Sequence, residues 1–295
     1  MKVAKISAPA IRASEQGLSV LAKLWEQVND CHFAVEFDFS TCSFLSHTGI
    51  AFLGGLARLC VFRNGSCTFA WSTMRSPIRR NIEENGFHAA IQNKAGGRNG
   101  NSIPYREDRN LDAENLVAFL RDRWLGRDWM NISQRACDTI IGKVLEIYLN
   151  AAEHAESPVG IFTCGQHYPK TRQLHLAVVD FGVGIPCKVR HHLKLPTMKP
   201  CAAMAWAFRP GTSTSGGSIG RGMGLEMLRQ LINLKQGELS VRSHNGHAII
   251  TEGPSAFSAV PNPFGGTIVN IKLICDDRHY CLESEMARLA DGNVF

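Results

Sequence analysis

Three segments in the second half of the chain carry residue types that could do chemistry. The first is a Glu, an Asn and a His spaced four residues apart, at Glu146, Asn150 and His154. That spacing places the three side chains on one face of a helix. A carboxylate, an amide oxygen and an imidazole on one face can hold a water molecule and a hard cation. A solvated polar stripe is the alternative interpretation of this segment taken alone.

The second segment is Asp180-Phe-Gly182-Val-Gly184, which directly follows the apolar run LAVV. An aspartate at the end of a strand provides a hydrogen-bond acceptor, and the glycines beside it let the backbone approach a flat ligand. Taken alone, the same pattern also fits a simple strand-to-loop turn.

The third segment is a glycine-rich run, GGSIGRGMGL at 216–225, which leads into a predicted helix over Met223–Leu234. Free backbone N–H groups at the start of a helix, together with the helix dipole, favour a phosphate. The glycines follow GxGxG rather than the GxGxxG of dinucleotide-binding folds, and no GxxxxGK[ST] loop occurs in the chain. A flexible surface loop is the alternative.

The elements before these segments alternate between helix and strand. They are followed at 93–110 by a stretch rich in Gly, Asn and charged residues, which predicts a linker. Alternation of this kind predicts an α/β layer. The predicted elements are a helix at 14–29, a strand at 33–39, a helix at 48–62, a strand at 66–71 and a helix at 76–85.

The second half places helices early and strands late, which predicts an α+β sandwich with one face of its sheet covered. The region between 182 and 220 is rich in loop-forming residues. The predicted elements are helices at 112–125, 131–155 and 223–234, and strands at 159–165, 174–180, 238–243, 247–251 and 267–274.

The order and spacing of the three segments together are specific. Over residues 112–274 the chain resembles the GHKL (Bergerat-fold) ATPases, which include type II topoisomerases, mismatch-repair and heat-shock chaperone ATPases, sensor histidine kinases and anti-sigma-factor kinases. The Glu–Asn–His helix is similar to their N box, the Asp180 segment to the G1 box and the loop at 220–224 to the G2 box. Gly266-Thr267, at the start of the last predicted strand, is similar to the family's terminal Gly-Thr.

This resemblance implies ATP and Mg²⁺ as cofactors and assigns roles by position. Asp180 would accept a hydrogen bond from the adenine amino group, supported by Thr267, and Asn150 would coordinate Mg²⁺ bridging the phosphates. Glu146 would be catalytic, orienting or deprotonating the attacking nucleophile. The G1 glycines would let a lid move. An arginine and hydroxyls within that lid, at 209–213, could contact phosphate. The G2 loop would wrap the phosphates. The other nucleotide-binding candidates are His154, Gly182, Gly184, Gly220, Arg221, Gly222, Met223, Gly224 and Leu225.

Within the superfamily, the glutamate that opens the N box and the histidine four residues beyond Asn150 look closest to anti-sigma-factor serine kinases. The first half lacks the phosphorylated-histidine helix of sensor kinases. Few residues follow Ile274, which disfavours the branch that adds a downstream transducer domain.

The first half is similar, through its pattern of elements between residues 37 and 87, to STAS domains, the fold of anti-sigma-factor antagonists. The family's Asp-Ser-Ser-Gly turn appears here as Ser-His-Thr-Gly, with His47 where the phosphorylated serine usually stands. Ser46 and Thr48 are left as candidate phosphoryl acceptors. A docking or dimerising module is the alternative role for this domain.

The composition is that of an ordinary globular protein, with 44% hydrophobic and 20% charged residues, which excludes wholesale disorder. No apolar run reaches the ~18–20 residues that span a bilayer, and the first residues lack the apolar core of a signal peptide. Ten cysteines include no CxxC pair, which favours reduced thiols and a cytoplasmic protein. The net charge of +6 is spread along the chain and argues against nucleic-acid binding.

We therefore predict a STAS-like α/β domain at 1–95, a linker at 96–111, a Bergerat-fold α/β sandwich at 112–278 and a tail at 279–295. The leading hypothesis is a Mg²⁺-dependent GHKL ATPase or Ser/Thr kinase that acts on a regulatory protein partner. The alternative is a non-catalytic regulatory protein that uses ATP as a conformational ligand. No membrane partner is expected, and a homodimer is left open because family members often dimerise.

Overall fold

The computed structural model describes residues 3–29, 34–94, 96–97, 100–209, 211–212, 237–282 and 285. Within these ranges the protein is a mixed α/β fold with two sheets. One sheet has three parallel strands and the other has seven antiparallel strands. Among the described helices, none is both long enough and apolar enough to cross a membrane.

The three-stranded sheet and its helices, which we call the N-terminal unit, occupy residues 3–94. Its strands lie in the order β1-β2-β3, and each parallel pair is joined through a helix. The predicted helices and the two later strands are confirmed, whereas β1 was not predicted because only Ile6 of its five residues is buried. The elements are β1 (Val3–Ser7), α1 (Glu15–Asn29), β2 (Ala34–Asp38), α2 (His47–Phe62), β3 (Ser66–Phe69), a 3₁₀ turn (Trp71–Thr73), α3 (Ser76–Glu84) and α4 (Phe87–Ile91).

The seven-stranded sheet, with strand order β4-β5-β6-β10-β7-β8-β9, organises the rest of the described chain. The region predicted to be loops between 182 and 220 contains two short helices, α7 and α8, and the short strand β9 was not predicted. The elements are β4 (Ser102–Asp108), α5 (Ala113–Phe119), a π-helical turn (Leu120–Leu125), α6 (Gln134–His154), β5 (Ile161–Tyr168), a 3₁₀ turn (Pro169–Thr171), β6 (Gln173–Asp180), α7 (Ile185–Leu193), α8 (Pro200–Ala207), β7 (Glu238–Ser243), β8 (Gly246–Ile250), β9 (Ala256–Ala259) and β10 (Thr267–Ile274).

Strand β4 lies inside the stretch whose composition predicts a linker. It pairs antiparallel with β5, and its Ile103 and Tyr105 are buried. The charged residues that suggested a solvated loop are paired instead. Arg58 of α2 contacts Glu107 at 2.8 Å between Nε and Oε2, and Arg106 forms an ion pair with Asp108 on the same strand. The prediction of a loop over these residues was therefore wrong. The charged side chains of β4 are paired and largely buried, so the strand can carry them without being a solvated loop.

Both faces of the large sheet are covered, whereas the sequence predicted cover on one face only. Alternate residues of a strand point to opposite faces, and the central strands are apolar at nearly every position. On β6, Val178 packs in a core with α6, and the next residue, Val179, packs in a second core with α2. The N-terminal unit therefore shares one hydrophobic core with the large sheet.

Helix α2 lies between the two sheets, and this position explains its sequence. Every residue from His47 to Ala57 is buried, so the helix is apolar almost all round rather than amphipathic. Its first turn is capped by Ser46, whose Oγ accepts a hydrogen bond from the Gly49 backbone N–H at 3.2 Å.

A cluster of three ring side chains lies where α2 packs on β5 and β6. His47 Nδ1 is 3.4 Å from the Tyr168 hydroxyl oxygen, and the rings of His47 and His175 lie 5.1 Å apart between centroids. Burial lowers the pKa of His175 to about 4, with a further contribution from the nearby Lys272. Burial, with a contribution from His175, also lowers the pKa of His47. Both rings are therefore neutral at pH 7.

We expect this cluster to make the protein less stable in mild acid. A histidine with a depressed folded-state pKa contributes its full stability above its unfolded pKa of about 6.5 and loses it as pH falls toward the folded pKa. Between pH 7 and pH 5, His175 should account for a loss of about 2 kcal/mol in the free energy of unfolding. Denaturant unfolding of wild type and His175→Gln at both pH values measures it, since titrating groups that do not interact with His175 cancel in the difference. Parallel pH dependences in the two proteins would contradict the expectation.

Candidate functional site

The end of α6 is joined directly to the segment that follows β6. The Val183 backbone N–H donates to the Ala155 carbonyl oxygen at 2.8 Å, and the Phe181 N–H donates to Ser157 Oγ at 3.3 Å. These bonds bring the C-terminal turns of α6, which carry the Glu–Asn–His pattern, next to the Asp180 segment. Two of the three sequence motifs are thus neighbours in the fold.

The Glu–Asn–His pattern lies on the side of α6 that faces away from the core. Tyr148, on the opposite side, is buried and its hydroxyl lies 2.5 Å from Thr163 Oγ1 on β5. Asn150 is exposed, and Glu146 and His154 are half-buried. A carboxylate, a carboxamide and an imidazole therefore share one face of the helix that is turned away from the core, as the four-residue spacing predicts.

Among the acidic side chains near this helix, Asp180 has the pKa that is shifted furthest from its ordinary value. It ends β6, is only 4% exposed, and lies directly opposite Thr267 of β10 in the sheet register. The Gly182 N–H donates to its Oδ1 at 2.9 Å. Burial raises the pKa of Asp180 to about 7, although hydrogen bonds from Gly182 and Thr267 oppose that shift. Asp180 is consequently a buried carboxyl whose charge changes near neutral pH.

Two glycines let the loops around Asp180 come together. A Cβ at Gly182 would lie 1.8 Å from the Ala155 carbonyl oxygen, and a Cβ at Gly266 would lie 2.1 Å from the carbonyl oxygen of Asp180. Gly266 also has a φ of 138° and Gly184 a φ of 78°, which other residues rarely adopt. The backbone on either side of Asp180 therefore makes close approaches that only glycine allows.

Ser243, at the end of β7, belongs to the same polar group and was missed by sequence reasoning. Its Oγ accepts a hydrogen bond from the Ile185 N–H at 2.7 Å and lies 2.9 Å from Thr267 Oγ1. Ser243 ties the start of α7 to the strand end beside Asp180. No motif marks this serine, since only the antiparallel register of β7 and β10 places it opposite Thr267.

The glycine-rich segment lies outside the described residues, as do positions 210 and 213 of the predicted lid segment. Within the described part of that segment, Arg209 is exposed just after α8, and the hydroxyl of Thr212 donates to the Trp206 carbonyl oxygen at 2.9 Å. The site candidates outside the described residues are Gly220, Arg221, Gly222, Met223, Gly224 and Leu225, as is the predicted helix at 223–234.

Within the described part of the chain, no group of three or more His, Cys, Asp or Glu side chains could hold a metal ion. Mg²⁺ is usually bound in proteins through one or two side-chain oxygens, with its other ligands supplied from elsewhere. Phosphate oxygens and water supply such ligands in nucleotide sites.

The two candidate phosphoryl acceptors of the N-terminal unit are inaccessible. Ser46 is buried as the cap of α2. Thr48 is fully buried, and its hydroxyl donates to Asn270 Oδ1 of β10 at 2.6 Å. A kinase could reach neither hydroxyl without separating α2 from the large sheet.

No protein-family model matches this chain, and a comparison with curated proteins finds no match either.

We expect the buried Asp180 to cost stability above neutral pH. A carboxyl with a raised folded-state pKa contributes its full stability below its unfolded pKa of about 4 and loses it as pH rises through the folded pKa. The free energy of unfolding of Asp180→Asn, relative to wild type, should therefore increase by about 2–3 kcal/mol between pH 5 and pH 8. Denaturant unfolding at the two pH values measures this difference. A difference that stays constant with pH would show that Asp180 does not titrate in this range.

Proposed function

We propose that this protein is a Mg²⁺-dependent ATP-binding protein of the GHKL type, with a STAS-like domain at its N-terminus and a Bergerat-fold domain formed by the large sheet. The observation that carries the proposal is the buried Asp180 at a strand end, whose carboxyl accepts hydrogen bonds from Gly182 and Thr267 and which lies beside the close-packed glycines Gly182 and Gly266. In its ionised form this carboxyl only accepts hydrogen bonds, and an adenine amino group is a donor of matching chemistry.

The residues at the end of α6 fit the phosphate side of such a ligand. Asn150 offers a carboxamide oxygen of the kind that Mg²⁺ accepts, and Glu146 lies one turn earlier on the same exposed face. A bound Mg²⁺ supplies charge neutralisation for the phosphates. Glu146 would orient or deprotonate the nucleophile, while the α6–β6 contact holds this helix face beside Asp180.

The partner that such an enzyme would phosphorylate is expected to be a separate regulatory protein in the cytoplasm. The burial of Ser46 and Thr48 supports this, because these two candidate acceptors within the chain are not accessible. The alternative, a non-catalytic ATP-gated regulatory protein, is favoured by the core that the N-terminal unit shares with the large sheet. Through that core, a change in the nucleotide site would alter the surface that the N-terminal unit presents to a partner.

Binding and turnover measured on the full chain test the proposal and separate its two forms. Calorimetry with a nonhydrolysable ATP analogue and Mg²⁺ should detect a single class of site. ATP turnover is then measured with the protein alone and with proteins that co-purify with it. Binding with turnover supports the enzyme, and binding without turnover under either condition supports the ATP-gated alternative. Absence of nucleotide binding would contradict both.

A further inference from the structure

The two loops that enclose Asp180 are both anchored in the N-terminal unit. Phe181 follows Asp180 directly, and Phe264 precedes the Gly-Gly pair that lies just before β10. Both are buried and pack against Phe52 of α2, with ring centroids 5.1 Å from Phe181 and 5.7 Å from Phe264. One aromatic side chain of α2 therefore contacts both walls of the candidate nucleotide site.

The position of Phe181 depends on a glycine in α2. A Cβ at Gly55 would lie 2.2 Å from Cε2 of Phe181 and 2.6 Å from Cδ2 of Phe162. Such distances are too short for real contacts, so even one methyl group must displace the ring. Since protein cores are close-packed, the displacement passes to the backbone that carries the ring.

Helix α1 makes a second contact with the same loops. A Cβ at Gly265 would lie 3.2 Å from Cζ2 of Trp25 and 3.6 Å from the carbonyl oxygen of Gly182. The indole of Trp25 therefore packs on the point where the loop before β10 meets the loop after β6. In the described part of the chain, its buried Nε1 has no hydrogen-bond partner, so the contact is made through packing.

We infer that α1 and α2 position the two loops around Asp180, so that the N-terminal unit sets the affinity of the site for ATP. The inference rests on the proposed function, since it concerns the same site. Phe52, Gly55 and Trp25 are positioning residues, because they act through the loops that they contact. The coupling is reciprocal: a partner that shifts α2 changes ATP affinity by the same factor by which ATP changes the affinity for that partner.

The competing explanation is that these contacts only stabilise the core. The adjacent glycine of α2 provides a matched control, because a Cβ at Gly54 would lie 2.0 Å from the Tyr105 hydroxyl oxygen on β4, away from the Asp180 loops. Gly54→Ala and Gly55→Ala thus add the same methyl group to the same helix with similar overlap. Only the second pushes on the residue beside Asp180.

We expect Gly55→Ala to weaken binding of a nonhydrolysable ATP analogue by at least about tenfold, and Gly54→Ala to change it by less than about twofold. Calorimetry is performed on the full chain at a temperature where circular dichroism shows both variants folded. Equal affinities of the two variants would overturn the inference and leave the proposed function standing. Wild type that binds no ATP analogue would instead contradict the proposed function.

A gentler pair of substitutions decides the question if Gly55→Ala does not fold. Phe52→Leu removes the ring that contacts Phe181 and Phe264, whereas Phe62→Leu makes the same change on the same helix at a side chain that is 59% exposed. The inference predicts weaker nucleotide binding for Phe52→Leu and unchanged binding for Phe62→Leu. Unchanged binding in both would overturn it.

Discussion

Replacing Glu146 by alanine is expected to abolish ATP turnover and to leave ATP affinity within a few fold of wild type. A group that activates the nucleophile acts mainly in the transition state, and general acid–base catalysis typically contributes about 10²–10⁴ in rate. The Glu146 side chain is 38% exposed, and its contact with Lys143 is long, at 3.9 Å between Oε1 and Nζ. Losing this contact costs little stability. Steady-state turnover and calorimetric binding of the same samples measure both quantities.

Asp138→Ala serves as the control for Glu146→Ala. Asp138 lies eight residues earlier on α6, is similarly exposed and pairs with Arg121. Its loss should leave turnover and binding close to wild type. If Glu146→Ala lost binding and turnover equally, structural damage would explain the result. Undiminished turnover would remove Glu146 from the mechanism.

Wild-type protein is expected to bind ATP at least about tenfold more tightly than GTP, since about 1.4 kcal/mol corresponds to a factor of ten. Guanine has a carbonyl oxygen where adenine has its amino group. When that carbonyl oxygen faces ionised Asp180, two hydrogen-bond acceptors oppose each other and one hydrogen bond is lost. The cost is roughly 1–3 kcal/mol. Asp180→Asn should weaken ATP binding and narrow the preference, because an amide can turn a donor toward the guanine oxygen.

The nucleotide comparison is made at pH 8, above the pKa of about 7 that burial gives Asp180, so that the carboxylate is ionised. Calorimetry with nonhydrolysable analogues of ATP and GTP gives the two affinities. Asp108→Asn is the matched control, because Asp108 is an equally buried aspartate of the same sheet that is bonded to Arg106. Equal wild-type affinities for the two analogues would contradict the assignment of Asp180 as the residue that binds the adenine amino group. A preference that Asp108→Asn narrows as much as Asp180→Asn would point to a general loss of sheet integrity.

The sequence was a reliable guide where structure depends on neighbours along the chain. The helix over Gln134–His154 and the strand that ends at Asp180 were both predicted, because apolar periodicity and strand-end glycines are local signals. It failed at β4, where Arg106 and Glu107 suggested a solvated loop. Their partners, Asp108 and Arg58, could be recognised only once the strand was paired and α2 was packed beside it.

The sequence also did not predict that both faces of the large sheet are covered. The run LAVVD is apolar at every position before Asp180, which is the pattern of a strand buried on both faces. The sequence cannot say what buries the second face, however, because nothing in β6 identifies α2 as its neighbour. The predicted division between residues 95 and 112 likewise gave no sign that both sides of it share one core.

The sequence alone determined the chemistry available to this protein: a carboxylate, a carboxamide and an imidazole on one helix face, and an acceptor at a strand end beside glycines. Each depends on residues within one helical turn or a few positions of each other. Only the tertiary structure decided that Asp180 is buried against Thr267, that Ser243 joins them and that Thr48 is closed off by Asn270. These contacts join residues far apart in the chain, and strand register and packing of the whole core select them.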